Sequence, residues 1–190
     1  MAIVRAASQQ RERWRNGGGW TRAIARGRID GTALAGEDDW DWRLSIADIE
    51  ANGPFSVFPG VDRVLVLLEG AGIELAFSSG DRSLLAQPLA QIAFAGERVV
   101  HCALLAGPTR DFNLMWRRQR MRAELSPVDL GAGALALAAP TRLTALHVLS
   151  GKLIVGGASA SAGDTVIVDA PVHARVADAG RALWIAGEPA

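Results

Sequence analysis

The sequence contains very little cysteine and lysine, and each shortage restricts what the protein can be. Its 190 residues include one cysteine, Cys102, so the chain cannot form an intrachain disulfide and secretion is not expected. Lys152 is the only lysine, and the other 19 basic residues are arginines. Arginine binds a planar anion through two parallel hydrogen bonds, whereas lysine presents a point charge. A biased genome composition is the simpler explanation of this excess at most positions.

The sequence also lacks an excess of charge of either sign and a long hydrophobic run. Its 20 basic and 20 acidic residues give a formal net charge of zero, which argues against binding to nucleic acid or to an anionic membrane. No uninterrupted apolar run approaches the roughly 18 residues that a membrane-spanning helix needs. Five of the first 15 residues are charged, so we expect no signal peptide and a cytoplasmic protein.

What the sequence does contain is a series of short apolar runs separated by glycine and proline. Apolar and polar residues alternate over residues 42–47, 73–77 and 111–116, and residues 64–68 are continuously apolar. Alternation with a period of two is typical of β-strands with two unlike faces. A short helix over residues 46–50 is the alternative, and we favour the strand. The sequence therefore predicts an all-β fold, either a barrel or a sandwich.

A change of composition divides the chain into two predicted barrels. Residues 126–140 are rich in glycine and alanine, which predicts a connection, although Leu135 and Leu137 could begin a strand. We therefore expect an N-terminal barrel with the ligand pocket at residues 1–125 and a C-terminal barrel at residues 126–190.

The two halves also resemble each other. Residues 67–75 and residues 148–155 both read as an apolar strand, a small turn with glycine, and a second apolar strand. Each half continues to a run that ends near a histidine, His101 in the first and His173 in the second. Such a repeat indicates a duplicated unit.

Several motifs resemble a known family. Residues 147–153, 163–168 and 170–173 are similar to the two-motif layout of the cupin superfamily. The first half contains Trp-Arg-Asn-Gly-Gly-Gly-Trp-Thr-Arg from position 14, followed by the blocks that begin at positions 42, 53 and 107. In this order the four blocks resemble the HutD/Ves family of bicupins, which is associated with bacterial histidine utilisation. The resemblance implies an all-β bicupin, with two small jelly-roll (cupin) β-barrels packed together.

The same resemblance implies a function and a partner. Members of the family resemble proteins that bind a small carboxylate, such as a urocanate-, formate- or formylglutamate-like ligand, on an arginine of the barrel. The matching residue is Arg63. The resemblance further implies a homodimer and a protein that modulates histidine catabolism without catalysing one of its steps. One departure is Arg15, which stands where the family has lysine.

Apart from the resemblance, the residues themselves also make Arg63 the strongest candidate for a ligand-binding residue. It opens the apolar run of residues 64–68, and a charge at the edge of a buried strand needs a partner. Asp62 points to the opposite face of a strand and is a poor partner. Either a bound carboxylate or an acid elsewhere in the barrel would satisfy the guanidinium.

Other polar side chains are candidates for the wall of the same pocket. Two strands carry polar residues on one face, and these residues are Arg43, Ser45, Asp111 and Asn113. If this face is turned inward, the residues surround a small polar pocket together with Arg63 and His101; if it is turned outward, they face solvent. Because the opposite faces carry bulky residues, we favour the inward orientation for Ser45, Asp111 and Asn113. Bulky residues normally face the core, however, so the outward orientation stays open.

The glycine run at residues 17–19 does not predict a phosphate-binding loop, because no Gly-Lys-Ser/Thr motif follows it. It is either a plain loop or part of the edge of a ligand pocket. In the second case Asn16 and Thr21 are the side chains that reach the ligand, with Arg15 beside them.

Metal-dependent cupin chemistry is not expected. His147 and His173 form no His-x-His pair, and a transition metal needs three or four converging ligands. His101 is expected to be a hydrogen-bonded histidine of the barrel interior. We therefore predict no metal, no cofactor and no catalytic residue. Two alternatives remain: a metal-independent cupin enzyme acting on a small organic acid with His101 or Asp111 as acid or base, and an interaction scaffold without a ligand.

Overall fold

The computed structural model describes residues 1–137 and 142–190 and confirms the all-β prediction. Within these residues the chain forms nineteen β-strands and one 3₁₀ turn at Ala6–Ser8, and no α-helix. No described helix has the length and hydrophobicity needed to cross a membrane. The helix considered over residues 46–50 is instead mostly the end of a strand.

The strands of the first part of the chain are β1 (Ala2–Val4), β2 (Arg11–Arg13), β3 (Gly19–Gly27), β4 (Trp42–Ile49), β5 (Gly53–Pro54), β6 (Val61–Glu69), β7 (Ile73–Phe77), β8 (Arg82–Leu85), β9 (Gln91–Ala95), β10 (Val100–Leu104) and β11 (Thr109–Arg117). Those of the remainder are β12 (Met121–Leu130), β13 (Gly133–Leu137), β14 (Leu143–Val148), β15 (Lys152–Val155), β16 (Ala158–Ser161), β17 (Thr165–Ile167), β18 (Val172–Asp178) and β19 (Gly180–Pro189).

These strands form two compact units. The first unit consists of Gln10–Gly27 and Leu34–Gln119, and the second of Met1–Gln9, Arg28–Ala33 and Arg120–Ala190. This division differs from the boundary expected after residue 125 for two reasons. Strand β12 runs through that position and pairs with β19 along its length, and β1 pairs with β17, which brings the N-terminus into the second unit.

The predicted connection at residues 126–140 is largely strand. Residues 126–130 complete β12, and residues 133–137 form β13, so Leu135 and Leu137 do lie in a strand. Strand β13 lies at the edge of its sheet and pairs with β18, whose backbone supplies the hydrogen bonds that hold a glycine- and alanine-rich strand in place. Residues 138–140 lie outside the described part of the chain.

The first unit contains two antiparallel sheets. The six-stranded sheet has the order β2-β3-β4-β11-β6-β9, and the four-stranded sheet has the order β5-β10-β7-β8. Between them lies a core that takes Ala47, Leu65 and Leu67 from the first sheet and Leu75 and Cys102 from the second. Because side chains alternate along a strand, every second residue of β4, β6 and β11 faces this core.

That alternation decides the orientation that the sequence left open. Ser45 shares a face with Ala47, and Asn113 lies opposite both Ser45 and Leu65 in the register of the sheet. The polar face is therefore the interior one. The opposite face, with Leu44 and Phe112, is buried as well, which is why the bulky residues gave no clear direction.

The second unit also contains two sheets, with the orders β1-β17-β14-β19-β12 and β13-β18-β15-β16. Its core is more apolar, with Leu146, Val148 and Leu153 among the members. His147 is buried and its Nδ1 lies 2.8 Å from the Thr165 hydroxyl. Burial lowers the pKa of His147 to about 4, so the imidazole is neutral at pH 7.

The two repeated segments occupy equivalent places in the two units. Residues 67–75 lead from β6 in the six-stranded sheet to β7 in the four-stranded one, and residues 148–155 lead from β14 to β15 in the same way. Gly70 and Gly151 turn the chain with φ values of +101° and +82°, which a residue with a side chain rarely adopts. The repeat therefore corresponds to the point at which each unit crosses from one sheet to the other.

A close backbone approach makes Gly19 sensitive to substitution. A Cβ atom there would lie 2.4 Å from the Asp48 carbonyl oxygen, which belongs to the neighbouring strand and cannot move aside. We expect Gly19→Ala to lower the free energy of unfolding by about 1–3 kcal/mol in urea denaturation. Gly36→Ala is the control, because a Cβ there meets nothing within 4 Å, and an equal loss in both variants would contradict the explanation.

Candidate functional site

The interior face of the six-stranded sheet opens into a cavity of about 620 Å³ within the first unit. Its floor is formed by alternate residues of the three central strands, and its sides come from the β2–β3 hairpin and the segment after β5. The lining residues that matter for its chemistry are Glu12, Arg15, Asn16, Thr21, Arg43, Ser45, Phe55, Arg63, Asn113 and Met115. A volume in this range is usual for small-molecule sites.

Arg63 is the most deeply buried cation of the cavity. Its side chain is 7% exposed and lies between two aromatic rings, with the guanidinium carbon 5.2 Å from the centroid of Phe55 and 5.0 Å from that of Phe94. One Nη2 hydrogen bond goes to Oδ1 of Asn113. No carboxylate of the described residues forms an ion pair with Arg63, and its Nε has no hydrogen-bond partner there. The acid partner considered from the sequence is therefore absent from the part of the chain that the structure describes.

The electrostatic setting of Arg63 favours an added anion. Burial and the nearby Arg43 guanidinium lower the pKa of Arg63 to about 10, and Asp111 acts in the opposite direction. The guanidinium remains charged at neutral pH. A buried cation with one neutral hydrogen-bond partner leaves most of its solvation unreplaced, and a carboxylate with two oxygen acceptors would replace it.

Asp111 lies on the same face of β11 but deeper than the cavity. It is fully buried and does not line the cavity wall. Burial raises the pKa of Asp111 to about 7, while the Thr109 hydroxyl and Arg63 lower it in part. The Thr109 hydroxyl acts on Asp111 by its proximity and not through a hydrogen bond. Neither this hydroxyl nor either carboxyl oxygen of Asp111 has a hydrogen bond of normal geometry among the described residues.

The β2–β3 hairpin explains the glycine run. Gly17 has a φ of +72°, and Gly18 donates its N–H to Asn16 Oδ1 at 3.0 Å. The Asn16 amide reaches the Pro54 carbonyl, and Trp14 Nε1 donates to the Thr21 hydroxyl at 2.8 Å. The run is thus a structural loop, and the residues beside it form one edge of the cavity; that they reach a ligand stays a prediction.

The structure brings together five of the seven predicted ligand residues. Those that line the cavity are Arg63, Arg15, Thr21, Ser45 and Asn113. Asp111 lies behind the cavity wall. His101 is not in the barrel interior, contrary to expectation, because its neighbours Val100 and Cys102 take the core side of β10 and its own side chain is exposed.

The sequence did not reveal the apolar and aromatic part of the site. Phe55 and Met115 line the cavity, and Phe94 supports Arg63 from β9. Phe55 falls in the motif block that begins at position 53, so its place in that block was an available signal. Arg43 was assigned to a polar face without a role. Phe94 had no local pattern that would connect it to Arg63.

Cupin folds often hold a transition metal, and this cavity does not suit one. Its lining contains no histidine, and Glu12 is its only carboxylate. Within residues 1–137 and 142–190 no three histidine, cysteine or acidic residues come close enough to share a metal ion. A cavity lined by four arginines and one acid is suited to an anion instead.

Comparison with known proteins assigns this chain to a family. A family model described as HutD matches residues 6–184. The chain belongs to the HutD family. This family is linked to histidine utilisation, and the match covers both units.

Individual relatives agree with the HutD assignment. The chain is 42% identical over 143 residues to an uncharacterized 21.2 kDa protein in the hutC 3' region of Pseudomonas putida, which covers 75% of this chain and 72% of that protein. The structure of HutD from Pseudomonas fluorescens SBW25, described as a formate condition, has a TM-score of 0.82 and 31% identity, and covers 100% of this chain and 98% of that one.

A more distant neighbour of this HutD-family chain shares the fold alone. A mutant of oxalate decarboxylase from Bacillus subtilis aligns with a TM-score of 0.66 at 8% identity, and covers 100% of this chain and 78% of that one. The expected bicupin fold is therefore confirmed, with one two-sheet jelly roll in each unit.

Replacing Arg63 by an apolar residue of similar length is expected to stabilise the protein in the absence of a ligand. Arg63→Met removes a buried cation without an acid partner, and we expect the free energy of unfolding to rise by about 1–3 kcal/mol in urea denaturation. Arg82→Met is the control, because Arg82 is exposed and paired with Glu74. A clear loss of stability in Arg63→Met would show that the guanidinium already has sufficient partners.

The raised pKa of Asp111 predicts an unusual dependence of the free energy of unfolding on pH. Because its pKa is raised to about 7 in the folded protein, the folded state holds more protons than the unfolded state between about pH 4 and pH 7. The free energy of unfolding therefore falls as the pH rises from about 4 to about 7, and the loss is complete above pH 7. We expect Asp111→Asn to be more stable than the wild type by about 2–4 kcal/mol at pH 8.5 and by little at pH 4.5.

The measurement is urea denaturation at both pH values, with the exposed Asp38→Asn as the control. A gain of the same size at pH 4.5 and 8.5 would contradict the raised pKa.

Proposed function

We propose that this chain is a non-catalytic protein that binds a small carboxylate in the first-unit cavity and thereby modulates histidine catabolism. The ligand is a urocanate-, formate- or formylglutamate-like acid. Membership of the HutD family supports the link to histidine, and the state of Arg63 supports the link to a carboxylate.

The observation that carries the proposal is the arginine without an acid partner. Arg63 is held in place by Asn113 and by two aromatic rings, so its position costs little additional entropy when a ligand binds. Its unpartnered Nε faces no acceptor of the described residues. A carboxylate that accepts from Nε and one Nη atom forms the two parallel hydrogen bonds that a guanidinium provides.

The surroundings of Arg63 suit binding more than catalysis. Acid–base catalysis needs a titratable group within hydrogen-bond distance of the substrate. His101 is exposed outside the cavity, and Asp111 lies behind its wall. Glu12 is exposed at the mouth. The two residues proposed for the enzyme alternative therefore do not reach a ligand held by Arg63 in this conformation.

The proposal predicts which compounds stabilise the protein. Urocanate, formate and N-formylglutamate are each expected to raise the Tm of the wild type in a thermal-shift titration, and at least one of them by several degrees at saturation. Formamide, which has formate's size but no charge, is expected to have no effect. Arg63→Met is expected to lose the response, because a charge-assisted pair contributes about 1.5–3 kcal/mol.

Arg82→Met serves as the matched control and is expected to respond like the wild type. NMR spectra of each ligand after overnight incubation are expected to be unchanged. Consumption of a ligand would favour the enzyme alternative. A normal response in Arg63→Met would remove Arg63 from the site, and the absence of any response in the wild type would favour the scaffold hypothesis.

A further inference from the structure

The cavity contains a second arginine, which a ligand with a single carboxylate bound to Arg63 would not use. Arg43 lines the cavity from β4, on the side of β11 opposite to Arg63. The register places Met115 of β11 directly between them, because Met115 pairs with Arg43 on one side and with Arg63 on the other. Neighbouring strands lie about 4.8 Å apart, so the two Cα atoms are roughly 10 Å apart, and both side chains start from the same face.

Arg43 also lacks an acid partner. Among the residues that the structure describes, its guanidinium forms no ion pair and no hydrogen bond, although it is half-buried. Burial and, to a smaller extent, Arg26 lower the pKa of Arg43, while Glu12 and Asp38 raise it in part. Because Glu12 and Asp38 are exposed and neither forms an ion pair with Arg43, their influence is screened by solvent.

The other arginines at the cavity are in different situations. Arg13 is already neutralised, since its Nη1 donates to Glu50 Oε2 at 2.6 Å. Arg15 is exposed, where an ion pair contributes little. Arg43 and Arg63 are thus the two cations of the cavity that are at least partly removed from water and that no acid balances. Their positive charges repel each other, so Arg43 lowers the pKa of Arg63.

We infer that the ligand of this cavity carries two acidic groups, one held by Arg63 and the other by Arg43, with an aliphatic spacer across Met115. The inference rests on the proposed function and narrows its ligand class to dicarboxylates. One dianion places a negative charge beside each of the two guanidinium groups, whereas a monocarboxylate leaves one guanidinium without a counter-ion. The volume of about 620 Å³ has room for such a ligand.

Glutarate and pentanoate form the probe pair, because they differ only in the replacement of a terminal methyl group by a second carboxylate. Isothermal titration calorimetry on the full chain is expected to show that glutarate binds at least about tenfold more tightly than pentanoate, since a charge-assisted hydrogen bond contributes about 1.5–3 kcal/mol. Arg43→Met is expected to remove this difference by weakening glutarate at least about tenfold and pentanoate less than about threefold.

Two further variants make the assignment specific. Arg26→Met is the matched control, because Arg26 lies opposite Arg43 in the register, outside the cavity lining, and donates to the Glu37 carbonyl at 2.8 Å. It is expected to leave both affinities within about twofold, as exposed charges interact weakly. Glu12→Gln is expected to strengthen glutarate only slightly, because the exposed Glu12 carboxylate acts on Arg43 through solvent and forms no ion pair with it.

The outcomes separate this inference from the proposed function. If pentanoate and glutarate bind equally and both depend on Arg63, the carboxylate site stands and the dicarboxylate inference is wrong. If Arg43→Met weakens both probes to the same degree, Arg43 contributes only a general positive field and the inference is also wrong. If neither probe depends on Arg63, the proposed function itself fails.

Discussion

A cation buried without a carboxylate partner is the constraint on which the architecture of the first unit depends. Arg63 lies in β6, the strand between β11 and β9, and its side chain is buried on the interior face of the sheet. A one-residue slip of β6 would not expose it, because the slip would move Arg63 to the opposite face, which is also buried, and would exchange Leu65 and Leu67 with residues of that face. Register and core packing therefore hold the charge in the interior.

The neighbouring residues are arranged around this fixed charge. Phe55 and Phe94 present their ring faces to the guanidinium, and the negative face of an aromatic ring stabilises a cation. Asn113 supplies a neutral acceptor, which orients the guanidinium without cancelling its charge. Had an aspartate occupied position 113, the cation would have been balanced internally. The neutral amide leaves the guanidinium without a carboxylate partner among the described residues.

The sequence predicts the strands and the family well because both are encoded locally. Period-two alternation identifies β4 and β11, and ordered motif blocks identify the HutD family. Prediction from the sequence fails where a segment becomes a strand only by pairing with a distant part of the chain. Residues 126–137 look like a connection because glycine and alanine carry no strand pattern, yet pairing with β19 and β18 makes them strands. The prediction that His101 lies in the barrel interior was wrong for a similar reason, since Cys102 takes the core side of β10.

The choice of arginine over lysine at position 63 also follows from burial. Burial and Arg43 lower the pKa of Arg63 to about 10, which leaves the guanidinium charged at pH 7. A lysine starts from a pKa about two pH units lower, so the same surroundings would bring its pKa towards neutral pH. It would also offer a carboxylate no planar pair of N–H groups. At this position arginine therefore suits the proposed carboxylate site better than lysine would.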